Sequence, residues 1–368
     1  YEAAVTRLRE TGQHHRIGET ILGLGEILNR QGLIARATAV YAEARDLSLE
    51  LQHRPGLAGA IQGLGEVALQ QGQTGEALRR LKEAMGIFRW LEDRPAVTQI
   101  LQSIGEIQRL HGQYGEALDT LEEAMMTARE YDLRSRLVGL IGVAAEVYLN
   151  LNAPTQAEAL LMEGLTLCAE HNYTYQRAEL YRLWGALKAQ ANEYSGALEA
   201  YRHGLKLAQS IAAQVLTSRL LVQVARLQLA VGEGAGARRL IDKAITDLRT
   251  TGAMYALAEG QLVAARVRLL EDDLASAHAA VSETLGLAEM MDARDLYFQA
   301  LVQRMEMPPL PGGPPRNAGL LRAAGTLFRL IENSGPRWRS RLAARDDIVA
   351  FLTEHPAFTP RVEPERVE

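Results

Sequence analysis

The side chains best placed to do chemistry in this 368-residue chain form a ladder: Glu26, Glu66, Glu106 and Glu146 recur every 40 residues, and the register continues as Ala186, Arg226 and Arg266. Four residues earlier, one turn back on the same helix face, stand Leu22, Gln62, Gln102, Gly142, Arg182, Val222 and Leu262. Carboxylates accept hydrogen bonds, amides do both, and guanidinium groups hold anions, so the chemistry on offer is recognition of a polar or charged ligand. Catalytic constellations look different. None of the histidines at 14, 15, 53, 111, 171, 203, 278 and 355 forms an i, i+4 pair around a Glu, the helical zinc arrangement. The Gly-x-Gly of "GLGE" at 23–26 lacks the third glycine of a dinucleotide loop, since Leu28 stands there, and "GEGAG" at 232–236 lacks the Lys-Ser/Thr of a phosphate cradle. Paired acids such as Glu122 with Glu123 and Asp272 with Asp273 read as solvated helix faces or turns. The single cysteine, Cys168, lies in the apolar stretch "LTLCAE" and reads as a small buried hydrophobe. The expectation is a non-enzyme with no catalytic residues, no cofactor and no metal.

What positions the ladder is a repeat. Ala37, Ala77, Ala117, Ala157, Ala197, Ala237 and Ala277 form an unbroken series at a spacing of 40. Twelve residues before them every position is Gly or Ala, from Gly25, Gly65 and Gly105 to Ala265. Four residues after them come large side chains, Tyr41, Leu81, Leu121, Leu161, Tyr201, Ile241 and Val281, and three further on small ones again, from Ala44 to Thr284. Turn residues fall between the two sets: Gly32, Gly72, Gly112, Asn152, Asn192, Gly232 and Asp272. Each unit is thus a helix A, a turn and a helix B; in the second, A spans about 56–70 and B about 74–91. Small residues let the two axes approach, and stacking of neighbours completes a core that one pair cannot close.

The patterns "I61-x2-L64-G65 … A77-x3-L81-x2-A84", "L101-x2-I104-G105 … A117-x3-L121-x2-A124" and "Y181-x2-W184-G185 … A197-x3-Y201" resemble the tetratricopeptide repeat. The period is 40 where the common form has 34. The proline that usually closes helix B is replaced by Leu49, Arg89 and Arg129, so helix B should be longer. The 40-residue variant is similar to repeats of bacterial signalling and regulatory proteins and of spindle-orientation scaffolds. The resemblance implies an all-α, right-handed superhelical solenoid with a concave groove lined by A helices. It also implies that a residue just after the small glycine points into that groove. The family's clamp for a C-terminal carboxylate uses Lys and Asn at such positions, and here Glu stands where the Asn would be.

The register predicts a partial repeat over 1–16 (second helix only), seven repeats over 17–296, and a degenerate eighth over 297–335 with a Pro-rich turn at 308–315. A capping helix over 336–354 and a disordered tail over 355–368 follow. In the eighth unit Leu321 takes the large position and Ala324 the small one; Arg345 takes a small position in the cap, as if one face were wet. Pro55 and Pro95 fall between repeats and Pro154 at an A-to-B turn, so none interrupts a helix. Because Tyr1 aligns with Tyr41, the sequence reads as part of a longer protein.

Formal net charge is −5, not the strongly basic balance of a nucleic-acid binder, and no run of about 18 apolar residues is present, so neither direct nucleic-acid binding nor a membrane is expected. The functional expectation is a protein–protein interaction module, cytoplasmic, that binds a peptide or partner domain in its groove. Its context is expected to be the sensor or regulatory arm of a larger bacterial signalling protein, other domains of which are further partners. A free-standing scaffold and a helical-toroid enzyme are the competing readings. The expected groove residues are Glu26, Gln62, Glu66, Gln102, Glu106, Glu146, Arg182, Arg226 and Arg266, negative at one end and positive at the other. The same glutamates could instead be structural pairs with nearby arginines.

Overall fold

Alternating large and small residues at helical spacing should give paired helices without sheet. The computed structural model, which describes residues 14–310, 312 and 319–359, has helices throughout and no strand among those residues. The A helices are α1 (His14–Arg30), α3 (Arg54–Gln70), α5 (Arg94–Leu110), α7 (Arg134–Asn150), α9 (Thr174–Gln190), α11 (Gln214–Ala230), α13 (Met254–Leu270) and α15 (Arg294–Glu306). Their B partners are α2 (Ile34–Glu50), α4 (Thr74–Trp90), α6 (Tyr114–Glu130), α8 (Pro154–Glu170), α10 (Tyr194–Ser210), α12 (Gly234–Thr251), α14 (Leu274–Met290) and α16 (Leu320–Asn333). Two short helices, α17 (Arg339–Ala343) and α18 (Asp346–Glu354), end the array. The chain is an α-solenoid.

The turns explain the regular length. At Gly72 the backbone is left-handed (φ 76°), and its N–H reaches Leu69 O while that of Gln73 reaches Ala68 O, the Schellman closure of a helix. Every turn marker read from the sequence, Gly32 to Asp272, has positive φ. So do Gln52, Glu92, Asp132, Ala212 and Asp292 in the B-to-A loops, which carry no glycine signal and were not legible as turns. Pro55 and Pro95 lie inside the first turn of α3 and α5, not between helices, where a missing N–H costs no hydrogen bond. His53 and Asp93, just ahead of them, cap those helices by accepting from Gly56 N (3.2 Å) and Ala96 N (3.0 Å).

The small positions are where helices touch. All seven alanines from Ala37 to Ala277 are inaccessible to solvent, and so are the large residues that follow them. A Cβ added at Gly25 would fall 2.6 Å from the Tyr41 ring, and one at Gly105 2.8 Å from Leu121, so the large side chain of B fills the space a side chain on A would need. Cys168 belongs to this core, and burial pushes its thiol up to about 11, well away from a reactive thiolate.

The superhelix also closes on itself. Gly32 lies against Thr251, Gly72 against Met291 and Gly112 against Leu330, and Thr74 Oγ1 donates to Met291 O (3.2 Å) across 217 residues. One superhelical turn therefore takes about five and a half repeats, and A-to-B turns of the first units sit on B-to-A loops of the last. The end of the chain locks the overlap. Arg345 donates to both oxygens of Asp295 (2.6 Å each) and to Asn150 O (3.3 Å), and Tyr114 OH donates to Asp295 Oδ2 (2.8 Å).

Two expectations fail at this end. The single helix expected after Pro336 is broken at Arg345 (ψ 135°), and Arg345 is no wet face of a cap: its guanidinium is buried in the clasp with Asp295. Leu321 is exposed while Ala324 is buried: in the first turn of α16 it is Leu320 and Ala323 that face the core, and Leu321 points away from it. Of the Pro-rich stretch, 311 and 313–315 lie outside the described residues, as do 1–13 of the partial repeat and 360–368 of the tail.

Candidate functional site

The inner face of α3, α5, α7 and α9 holds a cavity of about 420 Å3, reached also by Asn29 of α1 and Arg219 of α11. Gly139 and Gly142 on α7 keep its wall low: a Cβ at Gly139 would fall 2.6 Å from Gln102 Oε1. Of the nine groove residues expected from sequence, Glu66, Gln102, Glu106 and Glu146 line this cavity. Gln62 is buried behind it and donates to Glu66 Oε1 (2.9 Å). Glu26 lies exposed on α1, and its charge adds to the burial that raises the Glu66 carboxyl above its ordinary range.

The expected basic half does not begin at Arg182. Its side chain is only 4% exposed and is held by Glu179 (2.7 Å) and Glu146 (3.0 Å), with Arg219 on Glu179 (2.9 Å) and near Glu146 (3.6 Å). Burial alone would raise the Glu146 carboxyl, but the guanidinium groups of Arg182, Arg109 and Arg219 hold it well below the usual range. Glu106 likewise pairs with Arg109 (2.7 Å), whose guanidinium packs over the Tyr255 ring of α13, five A-helix units away from the N-terminal end of the cavity. Arg226 is half-buried beside Arg266, and desolvation of the Arg266 guanidinium where it meets the helices, together with that like charge, lowers it. Arg266 faces a separate cavity of about 360 Å3 with Gln299 and Gln303 of α15 and Phe351 of α18. Glu66, Glu106 and Glu146 thus line one cavity and Arg266 another, while Glu26 and Arg226 line neither.

Glu66 stands apart among the cavity's glutamates: its hydrogen bonds come from amides, and Arg136, which also lines the cavity, acts on it through its charge without a direct ion pair. Amides of Gln62 and, from the next A helix, Gln99 (2.9 Å) both donate to its Oε1, so Oε2 keeps its acceptor capacity. Around it Asn29 Oδ1, Gln70 Oε1 and, deeper, Glu179 Oε2 are buried acceptors without a hydrogen-bond partner. Buried acceptors of this kind cost free energy unless something donates to them. A cavity so lined suits a ligand rich in N–H donors and carrying positive charge.

Gln99, Glu179 and Arg219 were missed in the sequence, though a signal exists. They belong to a third column, Gly59, Gln99, Gly139, Glu179, Arg219, Glu259 and Gln299, seven residues before the ladder and so on the same helix face. Among the described residues no group of three His, Cys, Asp or Glu is arranged to hold a metal, and no helix is long and apolar enough to cross a membrane.

Residues 16–89 and 57–130 match the family model of the tetratricopeptide repeat. No curated protein matches the chain in sequence. Among solved structures, the fold is similar to a Rap protein complexed with competence and sporulation factor, at 10% identity over 93% of this chain and 98% of that one, with a TM-score of 0.57. It is similar to NprR in complex with its cognate peptide NprX, at 13% identity over 91% and 97%, TM-score 0.57. A signal transduction ATPase with numerous domains and a tetratricopeptide repeat sensor, from Pyrococcus horikoshii, aligns at 15% identity over 87% of this chain and 54% of that one, TM-score 0.51. At such identities the likeness is one of fold.

Proposed function

Because the chain is an array of tetratricopeptide repeats, we propose that it is a peptide-binding regulatory module whose ligand lies in the cavity between α3 and α9, with a cationic group of the peptide on Glu66. The observation that carries this reading is the set of acceptors left over there: Glu66 Oε2, Asn29 Oδ1, Gln70 Oε1 and Glu179 Oε2. Peptide N–H groups and an ammonium or guanidinium are the donors that would satisfy them. Glutamine and serine side chains along the same wall, Gln99, Gln102, Gln176, Ser103 and Ser135, can follow a peptide backbone without demanding one sequence. Glu106 and Glu146 serve as structural pairs that hold the floor. In this reading the module works in the cytoplasm as the sensor arm of a longer signalling protein and performs no chemistry itself; the solved structures with bound peptides and the ATPase with a repeat sensor support it.

The test is a positional-scanning library of short peptides, read by thermal shift and followed by calorimetry with the best binder. Selection for Lys, Arg or a free amino terminus at one position is expected. Glu66→Gln should then weaken binding by about tenfold, or 1.4 kcal/mol, while leaving the melting temperature unchanged or slightly raised, since it removes a carboxylate that burial disfavours. Affinity unaltered by Glu66→Gln, or a library with no binder, would overturn the reading.

A further inference from the structure

The charges around the inner cavity can be matched in full. Four carboxylates line it, Glu66, Glu106, Glu146 and Glu179, together with the guanidinium groups of Arg136 and Arg219, and Arg109 and Arg182 lie behind them. Glu106 is taken by Arg109 (2.7 Å). Glu146 and Glu179 share Arg182 (3.0 and 2.7 Å) and Arg219 (3.6 and 2.9 Å). Three carboxylates thus answer three guanidinium groups, and one of each sign is left: Glu66 on α3 and Arg136 on α7, with α5 between them. Glu26 adds negative charge on the Glu66 side from outside the lining.

Nothing in the repeat or in its own helix explains Arg136. The equivalent residue in other units is Gly56, Ala96, Gln176, Leu216 or Ala256, so packing does not call for a guanidinium there. The first turn of α7, where it stands, carries no acidic residue, and a cation there meets the positive end of the helix. Asp132, the acid closest in sequence, pairs with Arg134 (2.7 Å). Among the described residues half-buried Arg136 has neither an ion pair nor a hydrogen bond. Beside it Ser135 Oγ accepts from Gln176 Nε2 (3.3 Å), and the Ser135 O–H keeps a donor for the cavity.

We propose that the peptide taken by this cavity carries a carboxylate close to its cationic group, and that Arg136 holds the carboxylate while Glu66 holds the cation. This rests on the reading of the cavity as a peptide site. A guanidinium grips a carboxylate through two parallel N–H···O bonds, and Ser135 can add a third donor. The two leftover charges also fix direction, because a peptide with the same groups in reverse order would set like charges against each other.

The positional-scanning library tests this when screened against wild type, Arg136→Gln, Arg136→Glu and Glu66→Gln, once with free and once with amidated carboxyl termini. Wild type should select Asp or Glu at a second position or lose affinity on amidation, which tells a side chain from a chain end. Replacing that carboxylate by its amide should cost about tenfold with wild type, the scale of a charge-assisted hydrogen bond, and little with Arg136→Gln. Arg136→Glu should prefer Lys or Arg there, with selection for the cation at the first position retained. Glu66→Gln should keep the acid preference and lose the cation preference. Melting temperatures of both Arg136 variants should match wild type, because the side chain has no partner in the fold. Selection for the cation alone, or an amide replacement as costly in Arg136→Gln as in wild type, would overturn the role of Arg136 and leave the peptide reading standing. A library with no binder would overturn both.

Discussion

The cavity floor and the clasp at the end of the array are both buried arginine–carboxylate networks, and they differ in what is left over. In the clasp, Asp295 Oδ2 accepts from Tyr114 and Arg345, and Oδ1 from Arg345 and Gln299, so every acceptor of the carboxylate is engaged. On the cavity floor, Glu179 Oε1 accepts from Arg182 and Arg219 while Oε2 accepts nothing, and Glu66 has the same asymmetry. Both networks take charge largely out of water, so both need pairing to exist at all. A saturated network can only hold a shape. An unsaturated one retains capacity for donors from outside, and that is the physical distinction between a lock and a binding surface.

Removing an acid from the lock should have the largest effect. Asp295→Ala leaves Arg345 buried with only Asp347 beside it, and should cost about 3–5 kcal/mol in urea unfolding. A loss below about 1 kcal/mol would mean that the overlap between the first and last repeats is held by apolar contacts alone, and the contrast would break.

Acid should probe both networks together. The carboxyls of Asp295, Glu146 and Glu179 are depressed by their arginines against the opposing effect of burial. Groups lowered in this way stabilise the fold above their unfolded values, 3.8 for Asp and 4.5 for Glu, and that stability is lost as pH falls through the folded values. Melting temperature should therefore decline steadily below about pH 4.5. Glu66 works in the opposite direction, so Glu66→Gln should leave this acid limb unchanged while Asp295→Asn makes it shallower. An acid limb identical in wild type and Asp295→Asn would remove the clasp from the account.

The smallest change sharpens the comparison. Tyr114→Phe deletes one of four donors to Asp295 and should cost about 0.5–1.5 kcal/mol, as one hydrogen bond does. Chemical denaturation resolves this, and a cost as large as that of Asp295→Ala would show that the hydroxyl, not the guanidinium, closes the overlap.

The helix pairing was legible because it is local and periodic. Ala37 to Ala277, their large partners and the turn markers Gly32 to Asp272 each report a contact within one unit, and sequence spacing of three, four and twelve residues translates directly into faces of a helix. The glutamate ladder was legible for the same reason, as a column on the A helices. Spacing carries no information on partners contributed by other columns. Arg182 shared a column with the groove amides, yet Glu146, one unit earlier, and Glu179, one turn back, take it out of solvent. The turn at Asp132 and the helix break at Arg345 likewise had no marker residue.

Periodicity thus determined the class of fold, the unit length, the close-packed positions and the face that bears the ladder, since all of these follow from contacts between near neighbours in sequence. Tertiary structure alone decided how sharply the units rotate against one another, and that angle is the sum of many small packing differences that no single residue reports. At about five and a half repeats per turn it brings Thr74 to Met291, Tyr114 to Asp295 and Asn150 to Arg345. It thereby closes part of each edge, leaves part open, and makes from one column of glutamates both a neutral floor and a carboxylate, Glu66, still able to accept.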